Sequence, residues 1–343
     1  MGGPLLVKGA VGICVNPMSG RDVRRLAAHA SNMTHEAKRD MVTRVAVGAD
    51  AAGATDIFVT REPFRIASMA VEHMEMNARV HVLEHPIHHD ARDTEAAVLA
   101  FLACGCETIV SLGGDGTHRT LVRALLQAGD KETHLLPLST GTNNVFSRLA
   151  EPTIVGMVAG YQASGRLTDA AVKQRVKVLH VTGGAGSRPV DDIGLIDAVL
   201  LRRDHVGNLL PFDADRIDRL LLTRAEPGAI GMSPIGGLVK VIDENADVGL
   251  LVELGGDHKF LVPISPGLFQ RVAVKSTTEI PFDDPVEFCG PGVLALDGDR
   301  DHNLGRNETL IVRIRRDGPW VIDINQAMRW IVAQGMIASP PAR

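Results

Sequence analysis

Ile109-Val110-Ser111-Leu112-Gly113-Gly114-Asp115-Gly116-Thr117 is the stretch on which the fold turns. A short apolar run ends in three glycines around one carboxylate and a threonine, and Leu121, Val122, Leu125 and Leu126 follow at helical spacing. The pattern predicts strand, tight loop, helix. Glycines at such a junction admit positive φ and let a ligand approach without a Cβ in the way, while the amides of the helix start point outward. Those amides suit a phosphate. The charge of Asp115 repels phosphate, so it fits a loop that also binds a metal or takes a proton from a hydroxyl. A plain strand-to-helix turn with a surface aspartate is the competing reading of the glycines alone.

Upstream, a strand at 11–15 runs into Asn16-Pro17-Met18-Ser19-Gly20, a second loop of small and polar residues, opening a helix. Met41, Val42, Val45 and Ala49 stripe another helix, and 57–59 reads as a strand. Pro63 suits the N1 position of a helix striped by Ile66, Met69, Ala70 and Met74. A strand at 79–83 and a helix through Ala97, Val98, Phe101 and Leu102, stopped by Gly105, lead into the central strand. Downstream, the helix at 121–126 stops at Gly129, and a strand at 135–138 ends in Ser139-Thr140-Gly141-Thr142-Asn143-Asn144. Strands alternating with helices in this way predict an α/β fold with a doubly wound parallel sheet. Every strand-to-helix loop of such a sheet lies at its carboxyl edge, so the loops at 16–20, 113–117 and 139–144 share one rim. Three small-residue loops on one rim predict a phosphate site, with three unrelated turns as the competing reading. Neither Gly-x-x-x-x-Gly-Lys-Ser/Thr nor Gly-x-Gly-x-x-Gly occurs, which disfavours a P-loop ATPase and an ordinary dinucleotide-binding dehydrogenase.

The texture changes after one more helix at 152–165 and a polar crossing at 168–174. Short apolar or alternating runs at 176–181, 193–201, 248–254, 260–264, 270–274, 293–296 and 310–314 predict a β-rich second domain. In the last run Leu310, Val312 and Ile314 alternate with Ile311, Arg313 and Arg315, and Asp317-Gly318 turns the chain toward 321–324 as in a hairpin. Residues 214–222 read as a helix. In the tail, Ile324, Ala327, Met328, Ile331 and Val332 have helical spacing behind a capping box of Asp323 and Gln326, and this helix is expected to return to the first domain. The expected division is 1–165, 174–322 and the closing helix 323–338.

Three further clusters stand out. Asp297-Gly298-Asp299 presents two carboxylates across a glycine after a strand, spaced for a metal or for a base beside one, with an exposed acidic turn as the alternative. The small-residue loop at 228–237 is either a ligand contact at the domain cleft or a simple turn. His85, His88, His89 and Asp90 form the dense histidine cluster, but Pro86 and the lack of an i, i+4 pair favour a solvated loop over a zinc site.

With 343 residues the chain can bury two cores. A net charge of -5 draws it neither to nucleic acid nor to an anionic membrane, and 3% aromatic content leaves few platforms for stacked bases. Cys14, Cys104, Cys106 and Cys289 are too few and scattered for a disulfide framework; the Cys104–Cys106 pair reads as buried thiols. Lys8 interrupts the apolar start and Leu6 breaks the myristoylation pattern, while no uncharged apolar run reaches the ~18 residues of a spanning helix. The expected address is the cytoplasm, with no integral membrane segment.

The Gly113-Gly114-Asp115-Gly116-Thr117 run resembles the signature of the superfamily of NAD kinases, diacylglycerol kinases and sphingosine kinases. The Asn16-Pro17-x-Ser19-Gly20 loop resembles the corresponding loop on the lipid-kinase side, as Pro137 to Phe146 resembles its Pro-x-Gly-Thr-x-Asn-x-Phe segment. The whole chain is similar to the AcoX-type branch of ATP-NAD kinase-like proteins, named for acetoin catabolism. The resemblance implies a nucleotide-binding α/β domain, a β-sandwich-like second domain, and an active site in the cleft between them. It implies transfer of the ATP γ-phosphoryl group, with Mg²⁺, to a hydroxyl, with NAD as substrate. Asn16, Ser19, Gly20, Gly113, Gly114, Gly116, Thr117, Thr140, Gly141, Thr142, Asn143 and Asn144 would then bind nucleotide. Asp115 would activate the 2′-hydroxyl of the adenosine ribose, and Asn143 with Asn144 would hold the dinucleotide. On the lipid-kinase reading Asp299 would be the base, and Asp297 with Asp299 are the metal candidates. The chain departs from the NAD kinases in having Asn143-Asn144 where they have Asn-Glu or Asn-Asp, and from the lipid kinases in having Asp299 for Glu. Relatives are often dimers or tetramers. A lipid or sphingoid kinase and a non-catalytic nucleotide sensor in acetoin metabolism are the other readings.

Overall fold

A computed structural model describes residues 8–21, 29–185 and 188–337. The first half runs β1 (Ala10–Val15), α1 (His35–Ala51), β2 (Asp56–Thr60), α2 (Ile66–Val71), β3 (Arg79–Leu83), α3 (Ala91–Ala103), β4 (Thr108–Gly113), α4 (Asp115–Gln127), β5 (His134–Ser139) and α5 (Pro152–Ala163). The second half runs β6 (Lys173–Arg175), β7 (Val178–Ala185), β8 (Arg188–Gly194), β9 (Asp197–Leu201), β10 (Ile217–Leu222), α6 (Ser233–Gly237), β11 (Val248–Ser265) and β12 (Leu268–Pro281). It closes with β13 (Val286–Cys289), β14 (Gly292–Leu296), β15 (Asp299–Leu304), β16 (Thr309–Arg315), β17 (Trp320–Ile322) and α7 (Ile324–Ala333).

The first sheet has the order β3-β2-β1-β4-β5-β17-β6, parallel from β3 through β17, with β6 antiparallel at the edge. Every residue of β1 and β4 is buried, as expected of parallel strands covered on both faces. One face is covered by α1, α2, α5 and α7, and the other by α3 and α4. The order reverses between β1 and β4, which puts the loops that leave these two strands at the switch point of the sheet, where doubly wound folds bind ligands.

Helices α1 and α5 cross at glycines. A Cβ on Gly156 would lie 2.1 Å from the Val45 carbonyl oxygen, one on Gly48 2.2 Å from that of Thr153, and one on Gly160 2.5 Å from that of Ala49. The closing helix does return: Ala327 and Ile331 of α7 join the same core as Val155, Val158 and Ala159 of α5. Only the N-cap half of its capping box forms: Asp323 Oδ1 accepts from the Gln326 amide at 2.9 Å, while the Asp323 amide donates to the Val172 carbonyl.

The second domain is a two-sheet sandwich, one sheet ordered β12-β11-β10-β9-β14-β15 and the other β13-β16-β7-β8. The inward set of β16, Leu310, Val312 and Ile314, meets Leu200, Leu221 and Leu294 across the interface. Among the described residues no helix is long and apolar enough to cross a membrane.

Several elements differ from their sequence expectation. The helix following Gly20 falls on 22–28, outside the described residues. Pro63 is not at N1: α2 starts at Ile66 behind an Arg65 N-cap and ends at Val71, short of Met74. Residues 214–222 form a short 3₁₀ turn and then β10, because Ile217, Leu220 and Leu221 suit a strand buried on both faces as well as a helix. The run at 193–201 is two strands, and the runs at 248–254 and 260–264 are one. No hairpin follows Asp317-Gly318. The chain leaves the sandwich there, and β17 enters the first sheet between β5 and β6.

Candidate active site

The three small-residue loops meet on one rim and are tied to one another. Asn16 Nδ2 donates to Thr117 Oγ1 at 2.8 Å, and the hydroxyls of Ser19 and Thr140 share a 2.6 Å hydrogen bond. A Cβ on Gly141 would lie 2.6 Å from Gly114 Cα, and one on Gly113 2.5 Å from Thr117 Cβ. These glycines serve close approach of loop to loop. None of Gly113, Gly114 and Gly116 has positive φ; Gly20 does, at 68°.

Beneath the first loop, Lys38 of α1 is fully buried and donates to the carbonyls of Asn16, Pro17 and Ser19 at 2.9, 2.7 and 2.7 Å. Sequence reading missed this residue, because a lysine in an amphipathic helix ordinarily faces water. Lys38→Met keeps the aliphatic stem and removes the ammonium, leaving buried carbonyls without that donor. A loss of about 2 kcal/mol is expected, measured by urea unfolding, together with weaker ATP binding by calorimetry. An unchanged urea midpoint and unchanged ATP affinity would contradict this role.

The rim opens into a cavity of about 640 Å³, within the ordinary size range of ligand pockets. Its walls come from both domains: Asn16, Ser19, Gly20, Gly114, Asp115, Gly116, Thr117, Gly141, Thr142 and Asn143 from the first, and Asp197, Gly231, Ser265, Asp297 and Asp299 from the second. Gly113, Thr140 and Asn144 stand outside the lining; Asn144 instead accepts from Ser139 Oγ at 2.5 Å. Asn143 joins the domains, donating to the Ile264 carbonyl at 3.4 Å and accepting from Ser265 Oγ at 3.3 Å. The 228–237 segment contributes its Ile230 to Met232 part, with Gly231 at φ 107° beside Asn143.

Asp115 opens α4, yet its carboxylate turns toward the loop after β5. Oδ1 accepts from the amides of Phe146 and Ser147 at 3.2 and 3.0 Å and from Ser147 Oγ at 2.9 Å, while Oδ2 accepts from the Val145 amide at 3.0 Å. Its neighbour His118 is buried, sharing Nδ1 with the Gly114 carbonyl at 2.8 Å, and burial holds it below the usual imidazole range. Gly114 supplies α4 with no side-chain cap, so the first-turn amides look toward the cavity.

Asp297 and Gly298 are the two central residues of the β14–β15 turn, at φ 50° and 92°. Asp-Gly with both residues at positive φ is the tight hairpin turn, a stronger signal in this sequence than a metal spacing. Asp297 is buried, and its carboxylate accepts from the amides of Leu195, Ile196 and Asp197 at 2.7, 2.7 and 3.1 Å. Asp299 stands over the start of α4: a Cβ on Gly116 would lie 3.1 Å from its Oδ2. Arg119 of α4 clamps the hairpin, donating to the Leu296 carbonyl at 2.8 Å and Asp301 at 2.7 Å, with Asp299 at 3.7 Å. Asp297 and Asp299 are thus directed to different partners, and the described residues contain no group of three metal-ligating side chains. Of the two predicted metal candidates, Asp297 has its carboxylate taken up by three backbone amides, while Asp299 faces the start of α4.

Asp197 and Glu62 were also missed. Both are carboxylates inside or at the end of apolar strands, the signal that could have found them. Glu62 is buried and accepts from the amides of Phe64 and Ala67 at 2.8 and 3.0 Å, and burial raises its carboxyl above the usual range. Among the described residues the cavity lining holds seven carboxylates and one arginine, Arg300, which is itself paired with Asp204 at 2.8 Å. The histidine cluster is used locally: His88 and His89 are exposed and their amides donate to Asp93, near the N-terminus of α3. Cys14 and Cys106 are buried, Cys104 is half-buried and Cys289 exposed.

Residues 11–160 match the ATP-NAD kinase N-terminal domain, and residues 177–317 match the acetoin catabolism protein X C-terminal domain. The chain is 30% identical to acetoin catabolism protein X of Cupriavidus necator, over 96% of this chain and 94% of that protein. Among solved structures it is similar to yeast NADH kinase complexed with NADH, at a TM-score of 0.52 and 16% identity, covering 97% of this chain and 89% of the other. That last likeness is one of fold.

Proposed function

The chain belongs to the family of acetoin catabolism protein X, and on that premise we propose that it is an NAD kinase-like phosphotransferase. It moves the γ-phosphoryl group of ATP to an alcohol, the 2′-hydroxyl of NAD or a related small hydroxyl compound. The observation that carries this reading is the cavity at the sheet's switch point, walled by the three rim loops on one side and by the second domain on the other. Phosphoryl transfer asks the protein mainly for positioning and charge neutralisation.

The first-turn amides of α4, with Gly114, Gly116 and Thr117, cradle phosphate; Asn16, Ser19, Gly20, Thr140, Gly141 and Thr142 fix the rim, and Asn143 shapes the dinucleotide side, while Asn144 braces the loop through Ser139. Asp115 holds the 145–147 loop in place, and the second lone pair of its Oδ2 remains for the ligand. Mg²⁺, carried in on ATP and held by Asp299, supplies positive charge in a cavity whose charged side chains, among the described residues, are mostly anionic.

The test is incubation of the pure protein with Mg²⁺, ATP and NAD while NADP is followed in a coupled reaction. NADP formation is expected. Nucleotide-dependent thermal stabilisation without NADP would remove NAD as acceptor and favour another hydroxyl or a sensor role. A second reading, a lipid or sphingoid acceptor, draws on Met18, Phe64 and Leu210, which line the cavity and are exposed. Vesicle co-sedimentation separates it: a protein that stays in the supernatant is no lipid kinase.

A further inference from the structure

At the floor of the cavity one carboxylate has no evident structural task. Asp197 begins β9 and is only 5% exposed, yet it lines the cavity, and its Oδ1 has no hydrogen-bond partner among the described residues. A buried polar atom without a partner is costly and rare in a folded protein, and it calls for a ligand or a chemical role. The neighbours make the case specific. Asp297 is locked against Asp197 through the backbone: the Asp197 amide donates to Asp297 Oδ1 at 3.1 Å and the Asp297 amide to the Asp197 carbonyl at 3.1 Å. The charged groups around Asp197 are Asp297 on the hairpin turn and Asp115 and Arg119 on α4.

These groups are not equivalent. Asp297 takes three amide hydrogen bonds and faces Arg119, so its oxygens are already partnered. Asp115 takes four donors. Asp197 alone has a bare oxygen. We propose that Asp197 is the proton acceptor for the hydroxyl that is to be phosphorylated, with Asp297 as the fixed anion beside it. In the step, the acceptor O–H bond breaks and its proton moves to Asp197. The acceptor oxygen bonds the γ-phosphorus, and the bond from that phosphorus to the β–γ bridging oxygen breaks, its electron pair leaving with ADP. Burial, followed by the charges of Asp297 and Asp115, raises the Asp197 carboxyl well above the usual range. A base whose proton affinity is lifted above that of an ordinary carboxylate is better matched to a hydroxyl.

This inference rests on the phosphotransferase reading, and the experiment has an arm that does not. Infrared spectra of the full chain and of Asp197→Asn are followed across pH for the carbonyl band of a protonated carboxylic acid. A band that is lost only as pH rises above the range of ordinary carboxylates is expected in the natural protein and not in the variant; a natural protein and variant with the same band over the whole range would overturn the proposal. In the second arm, turnover of NAD and ATP is measured against pH, and ATP affinity by calorimetry. Turnover should climb with pH through a range above that of ordinary carboxylates. Asp197→Asn, and Asp197→Ser as a second variant, should lose about 10²–10⁴-fold in turnover with ATP affinity unchanged. A variant that keeps its turnover and its pH limb would overturn the assignment. The band with no phosphoryl transfer by the natural protein would overturn the kinase reading and the catalytic role with it, while leaving the buried acid in place.

Discussion

Asp115→Asn is expected to lose at least about 100-fold in turnover and to melt at lower temperature. The reason lies in donors and acceptors. The carboxylate accepts from three consecutive amides and one hydroxyl, and no donor fits among them. An asparagine must turn its NH₂ either toward the Val145 amide or toward those of Phe146 and Ser147, so donor faces donor in both rotamers. Losing charge-assisted bonds and stranding an amide costs about 2–4 kcal/mol locally. The 143–147 loop, which carries Asn143 against Ile264 and Ser265, then shifts and the cavity wall with it. A coupled NADP assay beside a thermal melt checks this; unchanged turnover at an unchanged melting temperature would refute it.

Gly156→Val is expected to cost about 3 kcal/mol or more. Removing a glycine from a helix interior ordinarily gains up to ~1 kcal/mol in propensity, less for a β-branched replacement. Here even a Cβ would lie 2.1 Å from the Val45 carbonyl oxygen, a backbone atom that cannot rotate aside. Helices α1 and α5 must separate, and α1 carries Lys38, the anchor of the 16–20 loop. Denaturant unfolding should show the lost stability and ATP titration the loosened loop. A variant as stable as the natural chain would contradict the close crossing.

Much of the fold was legible because its signals are local. The apolar runs of β1, β4 and β5, each ending in small residues, predicted a parallel sheet and the shared rim, and Asp323 with Gln326 marked the start of α7. What escaped depends on distant partners. Residues 248–265 read as two runs because Gly255 and Gly256 look like a break. In the folded chain Gly255 takes φ 92°, a Cβ on Gly256 would meet the Val274 carbonyl at 2.3 Å, and the strand bends through shifted register without ending. Ile324 onward was readable as a helix, but no local pattern says that the three residues of β17 pair with β5 rather than β16. At the site, the rim residues were visible as motifs. Lys38 was not, since burial alone distinguishes it from a surface charge, and Asp197 and Glu62 showed only as carboxylates beside apolar strand residues.

The sandwich is connected to the first domain through β6 and β17, which lie side by side with Trp320 opposite Arg175. Entry and exit are therefore neighbours, and the intervening 140-odd residues behave as a guest inserted at one point of a host sheet. Beyond that ribbon the halves are joined by the Arg119 clamp, the Asn143 bridge and the Arg123–Asp192 and Arg148–Glu244 ion pairs. They also share an apolar cluster in which Leu121 and Leu125 of α4 meet Ile193, Leu195 and Ile196. A chain joined directly from residue 175 to 320 would keep the host strands in register but bare that cluster, so guest and host complete one another's core.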